Sequence, residues 1–287
     1  MRWRTSRRSS NVEDYRGRSF GVGSGLKLGL GGVVALVAAY FFGLDPRMIL
    51  GLLESTGSLQ EEAAPVTPMD PNAPPDEASD FVSAVLGETE DVWGQVFQLG
   101  GAQYTPPRLA LFTDQMPSAC GFAQAAIGPF YCPADQKVYI DLGFFRQLDN
   151  EFKAPGDFAQ AYVLAHEVGH HVQNLLGTSD QVQAGRRRQS EDQANEMSVL
   201  LELQADCYAG VWAHHADRER QILEPGDLEE GLRAASAVGD DTIQRRTQGY
   251  VVPDSFTHGT AQQRMGWFQR GFEQGSVQAC DTFSARN

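Results

Sequence analysis

The sequence predicts an α+β fold: a mostly helical domain with a small antiparallel sheet, preceded by one transmembrane helix. Three observations predict it. Residues 158–176 and about 195–215 are long apolar stretches with helical periodicity. Between residues 109 and 142, short runs rich in β-branched and aromatic residues alternate with Gly and Pro, as strands and turns do. Leu28–Leu44 carries no charge and is bracketed by Lys27 and Asp45.

A chain of 287 residues is long enough for one good-sized core plus appendages. Residues 1–27 hold seven basic and two acidic residues, which leaves +5 there and −19 in the rest of a chain whose net charge is −14. A body this acidic repels phosphates, so nucleic acid is excluded as its partner. Residues 1–27 read as a basic cytoplasmic tail. Residues 28–45 read as an uncleaved membrane anchor at the short end of spanning length, with Tyr40, Phe41 and Phe42 as interface aromatics. The positive-inside rule then sets the N-terminus in the cytoplasm and the rest across the membrane. A cleaved signal peptide is the rival, but the apolar run continues past the small residues Ala35–Ala39. Residues 46–79 form a Pro- and acid-rich linker, an extended spacer too polar to order itself.

The globular domain is expected over 80–287. Its first helix ends at Gly100-Gly101, with Ser79 or Asp80 as N-cap. Leu109–Phe112 is a strand, and residues 118–142 give two or three more. A sheet edge beside the first long apolar helix would let an extended peptide add as another strand. Residues 177–180 form a turn and 181–193 a solvated polar stretch. A last helix runs from about Thr260 to Phe272, with Ser255 or Thr257 as its cap.

The first long helix contains His166-Glu167-Val168-Gly169-His170, an H-E-x-x-H pattern. Residues four apart share one helical face, so both imidazoles can point at one ion, at the ~2.0–2.1 Å that zinc prefers. Glu167 is rotated by about 100° from His166, within reach of a metal-bound water without ligating the metal, the position of a general base. Phe158, Tyr162, Val163, Leu164 and Ala165 make the helix apolar ahead of the motif, so the motif is buried. Gly169 inside a helix costs ~1 kcal/mol relative to alanine, which points to a close neighbour on that face.

Two imidazoles leave a catalytic zinc short of a protein ligand. A three-histidine site would need Gly at 173 and His at 176, where Gln173 and Leu176 stand. On the second long helix, Glu202 and Asp206 lie four apart among apolar residues, which is costly for carboxylates unless they are paired or metal-bound. Glu202 is read as the third ligand and Asp206 as the group that orients a ligating imidazole N–H. The extra His171 points off the metal face and reads as structural.

By these residues the chain resembles the gluzincin metallopeptidases. It is more closely similar to the family of "putative neutral zinc metallopeptidases", membrane-anchored bacterial proteins. Gly128–Cys132, His166–His171, Glu202–Gly210 and Ser255–Arg264 through Trp267–Phe272 carry the likeness. It covers most of 80–283, the anchor and residues 1–15. It implies a zincin-like fold, one Zn2+ per chain, a protein or peptide substrate, and an inner-membrane protein with its catalytic domain outside the cytoplasm. Membrane-associated gluzincins place a Thr-His-Pro…Arg element near the zinc; here Gly259 stands for the proline. By that likeness His258 or Arg264 would stabilise an oxyanion. A structural role stands equally open for His258, and for Arg264 a pairing with an acid is preferred.

Outside the cytoplasm the four cysteines can pair. Three connectivities are open. The preferred one joins Cys120 to Cys132 across a hairpin and Cys207 to Cys280, tying the tail to the second long helix. There is no C-x-x-C spacing for a cysteine-zinc site. The function predicted is a membrane-anchored zinc-dependent metalloendopeptidase. The alternative is a zinc-stabilised envelope binding or chaperone-like module that does not cleave. Hydrolysis of a non-peptide amide, such as a cell-wall cross-link, is a third reading.

Overall fold

The computed structural model describes residues 1–18, 76–124 and 128–284. The expected anchor at 28–45 and all but the last residues of the expected linker lie outside the described residues. Among the described residues no helix is long and apolar enough to cross a membrane.

Residues 1–16 correct the expectation of a free basic tail: they belong to the same compact unit as the globular domain. Strand β1 (Val12–Asp14) pairs in parallel with β2 (Arg108–Phe112). Trp3 is buried edge-on against Phe81, with ring centroids 5.3 Å apart. Arg7 reaches Glu90 at 2.7 Å and Arg8 reaches Asp80 at 2.6 Å, both acids of helix α1 (Glu77–Leu99). The arginines of this stretch are thus held by acids of the body. Helix α1 starts before the expected Asp80, because the Asp76 carboxylate accepts the Ser79 N–H at 2.8 Å and caps it. Glu77 and Asp80 then sit in the first turn, where the helix dipole favours acids. The helix ends at Gly100, as its sequence predicts.

The main sheet runs in the order β1-β2-β6-β5, with β5 at Phe130–Cys132 and β6 at Lys137–Asp141. It is mixed rather than antiparallel: β1–β2 and β2–β6 are parallel and only β5–β6 is antiparallel. The chain between β2 and β6 is long enough to return to the start of the sheet, carrying a separate hairpin, β3 (Gln115–Ser118) and β4 (Gly121–Gln124), on the way. The central parallel strands are covered on both faces: Leu109, Leu111, Val138 and Ile140 are buried on one, Ala110, Phe112 and Tyr139 on the other.

Among the described residues seven further α-helices follow: α2 (Gly143–Asn150), α3 (Asp157–Leu175), α4 (Thr178–Arg186), α5 (Glu191–Arg220), α6 (Asp227–Ala237), α7 (Asp240–Thr247) and α8 (Ala261–Gln274). Helices α3 and α5 are the two long apolar ones. The stretch expected to be solvated is partly α4, which forms because Val182 finds a buried place. Helix α8 is capped by Thr260, which exchanges hydrogen bonds with Gln263 in a capping box, rather than by Ser255 or Thr257. Phe158, Tyr162, Trp212 and Phe268 fill the space between α3, α5 and α8; Phe158 stacks on Trp212 at 6.0 Å and Phe268 meets Tyr162 edge-on at 5.3 Å.

Glycine sets the helix spacing. A Cβ at Gly169 would lie 2.9 Å from the Ala205 carbonyl oxygen, so α3 and α5 touch backbone to backbone beside the histidines. A Cβ at Gly271 would lie 2.0 Å from the Cys207 carbonyl oxygen, which brings α8 equally close to α5. Both preferred disulfides are formed, Cys120–Cys132 and Cys207–Cys280.

Candidate metal centre

Helix α3 begins under tight constraint. Its N-cap is Gly156 at φ +125°, where a Cβ would fall 2.0 Å from the Glu230 carboxylate. Glu230 itself accepts the Phe158 N–H at 3.2 Å and serves the open helix end from α6. Asp157 in the first turn holds the Met1 amine at 2.7 Å. The start of the helix that carries the motif is thereby clamped by the N-terminal stretch and by α6.

About two and a half turns further on, the predicted residues converge. Nε2 of His166 lies 3.1 Å from Oε2 of Glu202, and Nε2 of His170 lies 3.4 Å from Oε1 of the same carboxylate. The two imidazoles are perpendicular, with centroids 4.8 Å apart. One donor atom from each of His166, His170 and Glu202 falls within 4.8 Å of the other two, a grouping able to hold a metal ion. Two imidazole nitrogens and one carboxylate oxygen are a donor set that suits zinc.

The outer nitrogens of the two rings decide which way the inner ones face. Nδ1 of His166 meets Asp206 Oδ1 at 2.8 Å, as the spacing predicts for an orienting carboxylate. Asp206 is fully buried and also accepts from the Tyr162 hydroxyl and, bidentately, from Arg264 at 2.8 and 2.9 Å. Arg264 therefore pairs an acid, and that acid is the one behind His166. For His170 the holder is Gln173. Its amide nitrogen donates to the Leu201 carbonyl at 2.7 Å and to Gln204 Oε1 at 3.1 Å, which turns its oxygen toward Nδ1 of His170 at 2.9 Å. An acceptor there fixes the tautomer that carries a hydrogen on Nδ1 and leaves Nε2 with its lone pair toward Glu202.

The electrostatics favour positive charge at the convergence point. Burial raises the Asp206 carboxyl, but Arg264 and His166 outweigh it and hold it at about 2. Burial lowers His166, yet Asp206 and Glu202 push it up to about 10. Glu202 is likewise held well below the usual carboxylate range by His170 and His166 against its burial. A proton and a metal ion compete for the same lone pairs there.

These groups open onto a cavity of about 580 Å³. His166, Glu167, His170 and Glu202 line it together with the apolar side chains Phe130, Phe144, Phe152, Val163 and Ile243, and with His258. Glu167 is 7% exposed and faces this cavity. Strand β5, at the free edge of the sheet, borders it through Phe130 and Tyr131.

His258 stands on the rim, half exposed, and makes no hydrogen bond to the three converging residues. Asp240 builds its loop: Oδ2 accepts the N–H groups of Thr257, His258 and Gly259 at 2.8, 2.6 and 3.1 Å, and Oδ1 faces Nδ1 of His258 at 3.2 Å. That hydrogen bond raises the imidazole above its ordinary value, against its burial. His171 points away from the cavity, fully buried. Its Nε2 donates to the Thr105 carbonyl at 2.7 Å and its Nδ1 faces the Tyr131 hydroxyl at 3.0 Å, which pins β5 to the metal helix. Tyr162, Gln173 and Asp240 escaped the sequence reading. Tyr162 lies four residues before His166 and Gln173 three after His170, so helical spacing already placed both on the metal face.

A family model described as "Putative neutral zinc metallopeptidase" matches residues 1–283 of the chain. "Uncharacterized protein YpfJ" of Escherichia coli (strain K12) is 47% identical over 291 residues, with 99% of each chain covered. "Uncharacterized protein Rv2575" of Mycobacterium tuberculosis (strain H37Rv) is 47% identical over 192 residues, which cover 63% of this chain and 64% of that protein. No solved structure matches the chain.

Proposed function

The chain belongs to the family described as "Putative neutral zinc metallopeptidase", and we propose that it is a zinc-dependent metalloendopeptidase whose zinc is held by His166, His170 and Glu202. The observation that carries this reading is the convergence of those three side chains, with Glu167 beside them, in the lining of one cavity. Zinc held by these residues would supply a Lewis acid for the peptide carbonyl and an attacking water of lowered pKa. Glu167 takes the proton of that water and delivers it to the leaving amine. Asp206 and Gln173 keep the two imidazoles in the ligating tautomer and orientation. His258, held as a donor by Asp240, hydrogen-bonds the oxyanion as the carbonyl is attacked. The free edge of β5 offers backbone groups to an extended peptide, and the apolar lining of Phe130, Phe144, Phe152 and Val163 receives an apolar side chain of it.

The test is turnover of a peptide library by the full chain. Cleavage should vanish with a chelator and return with zinc. Glu167→Gln should keep its zinc while losing about 10²–10⁴-fold in rate, the usual worth of a positioned general base. Full activity of Glu167→Gln on a cleaved peptide would sink the assignment. Zinc binding with no cleavage of any peptide would favour the non-catalytic envelope module.

A further inference from the structure

We infer that residues 1–16 and the metal-binding domain lie on the same side of any membrane the chain meets. The sequence alone gives the opposite picture, with a basic tail inside and the domain outside.

Two sets of contacts carry the inference. Residues 1–16 are built into the domain: β1 supplies a strand of the main sheet, Trp3 is 5% exposed in the core, and the Met1 amine is held by Asp157 and Asp227. A bilayer cannot separate strands of one sheet. The second contact is at the exit. Arg16 pairs with Asp76 at 2.6 Å, so the chain leaves the domain and re-enters it at one place. Whatever lies between them must cross a membrane an even number of times or not at all. The longest uncharged run of that segment is the seventeen residues Leu28–Leu44, where two crossings would need about 20 apolar residues each.

The charge argument for a cytoplasmic tail dissolves with the same contacts. Arg4, Arg7, Arg8 and Arg16 are paired with Glu77, Glu90, Asp80 and Asp76 of the domain, at 2.5 to 2.7 Å. Arginines paired with acids of the folded unit do not act as a free positive flank at the membrane surface. The two disulfides place the domain in an oxidising compartment, and residues 1–16 go with it.

The experiment is thiol labelling of the full-length chain in intact cells with a membrane-impermeant maleimide, followed by labelling after lysis. All four native cysteines are paired, so an introduced thiol reports alone. Ser10→Cys and Thr5→Cys report the exposed N-terminal stretch, two positions so that one poorly folding variant does not decide the matter; Leu99→Cys, 85% exposed, reports the domain. The expected result is labelling of both regions before lysis, to the same fraction of the post-lysis signal. Protection of both until lysis also keeps them on one side, and would move the domain inside. Labelling of Leu99→Cys in intact cells while Ser10→Cys and Thr5→Cys react only after lysis would overturn the inference.

Discussion

Asp206→Asn isolates the one carboxylate that serves both the fold and the ligands. Asp206 is fully buried and accepts from the Tyr162 hydroxyl, from Nδ1 of His166 at 2.8 Å and from Arg264 at 2.8 and 2.9 Å. Asparagine keeps the size and one acceptor but removes the charge. Arg264, 3% exposed, is then a buried cation without its counter-ion, and breaking a buried pair from one side costs about 3–5 kcal/mol. Because asparagine can still accept one hydrogen bond, the lower end is expected, about 3 kcal/mol in urea unfolding of the metal-free protein. Zinc affinity should fall about 10–100-fold, since the support behind His166 is gone. Adding Arg264→Met removes the stranded cation, so the double variant should recover part of the stability while zinc affinity stays low. A chelating dye in competition reads the zinc affinity, and the two single variants with the double one close a cycle. Asp206→Asn with wild-type unfolding and wild-type zinc affinity would refute the reasoning.

Three further outcomes follow from the geometry. Gly169→Ala drives a methyl into the Ala205 backbone, so unfolding free energy should drop by about 1–3 kcal/mol, and zinc affinity should fall with it as Glu202 is pushed from the histidines; an unaffected variant would show that the helices have room. Glu13 is raised by burial but held at about 2 by Lys137, Arg108 and Tyr15, against an ordinary value of 4.5. A depressed carboxylate gives its full stability above its unfolded value and loses it as pH falls toward the folded one, so Glu13→Gln should flatten the acid loss of stability between pH 4.5 and about 2. Parallel acid profiles for the two proteins would contradict this. Replacing Cys207 and Cys280 together by alanine opens a loop with a sequence separation of 73, worth about 4 kcal/mol by loop entropy, read as a lower urea midpoint; no shift would mean that the tail is held without the bond.

The helical half of the fold was legible because its periodicity is strong and its ends are chemically marked. Helices α3 and α5 lie where the apolar pattern puts them, and Gly169 signals a close neighbour on its face, which the fold supplies as the Ala205 backbone. The sheet was legible as strands but not as a topology. Strand direction depends on the path between β2 and β6 and on β1, which arrives from residues 12–14 and joins the sheet through backbone bonds that leave no side-chain signature. Arginine is equally at home on a free tail and in an ion pair, so charge counting could not tell that Arg7 and Arg8 meet Glu90 and Asp80. At the site, spacing along one helix found His166, Glu167 and His170, and the cost of burying carboxylates found Glu202 and Asp206. Asp240 holds the His258 loop from a separate helix, and Arg264 meets Asp206 across 58 residues, distances at which sequence spacing carries no information.

Zinc K-edge anomalous diffraction from zinc-loaded crystals tests the central claim most directly. The account predicts one zinc per chain, at ~2.0–2.2 Å from Nε2 of His166, Nε2 of His170 and a carboxylate oxygen of Glu202. An anomalous peak elsewhere, or one that persists in a Glu202→Gln, His170→Ala chain, would contradict it.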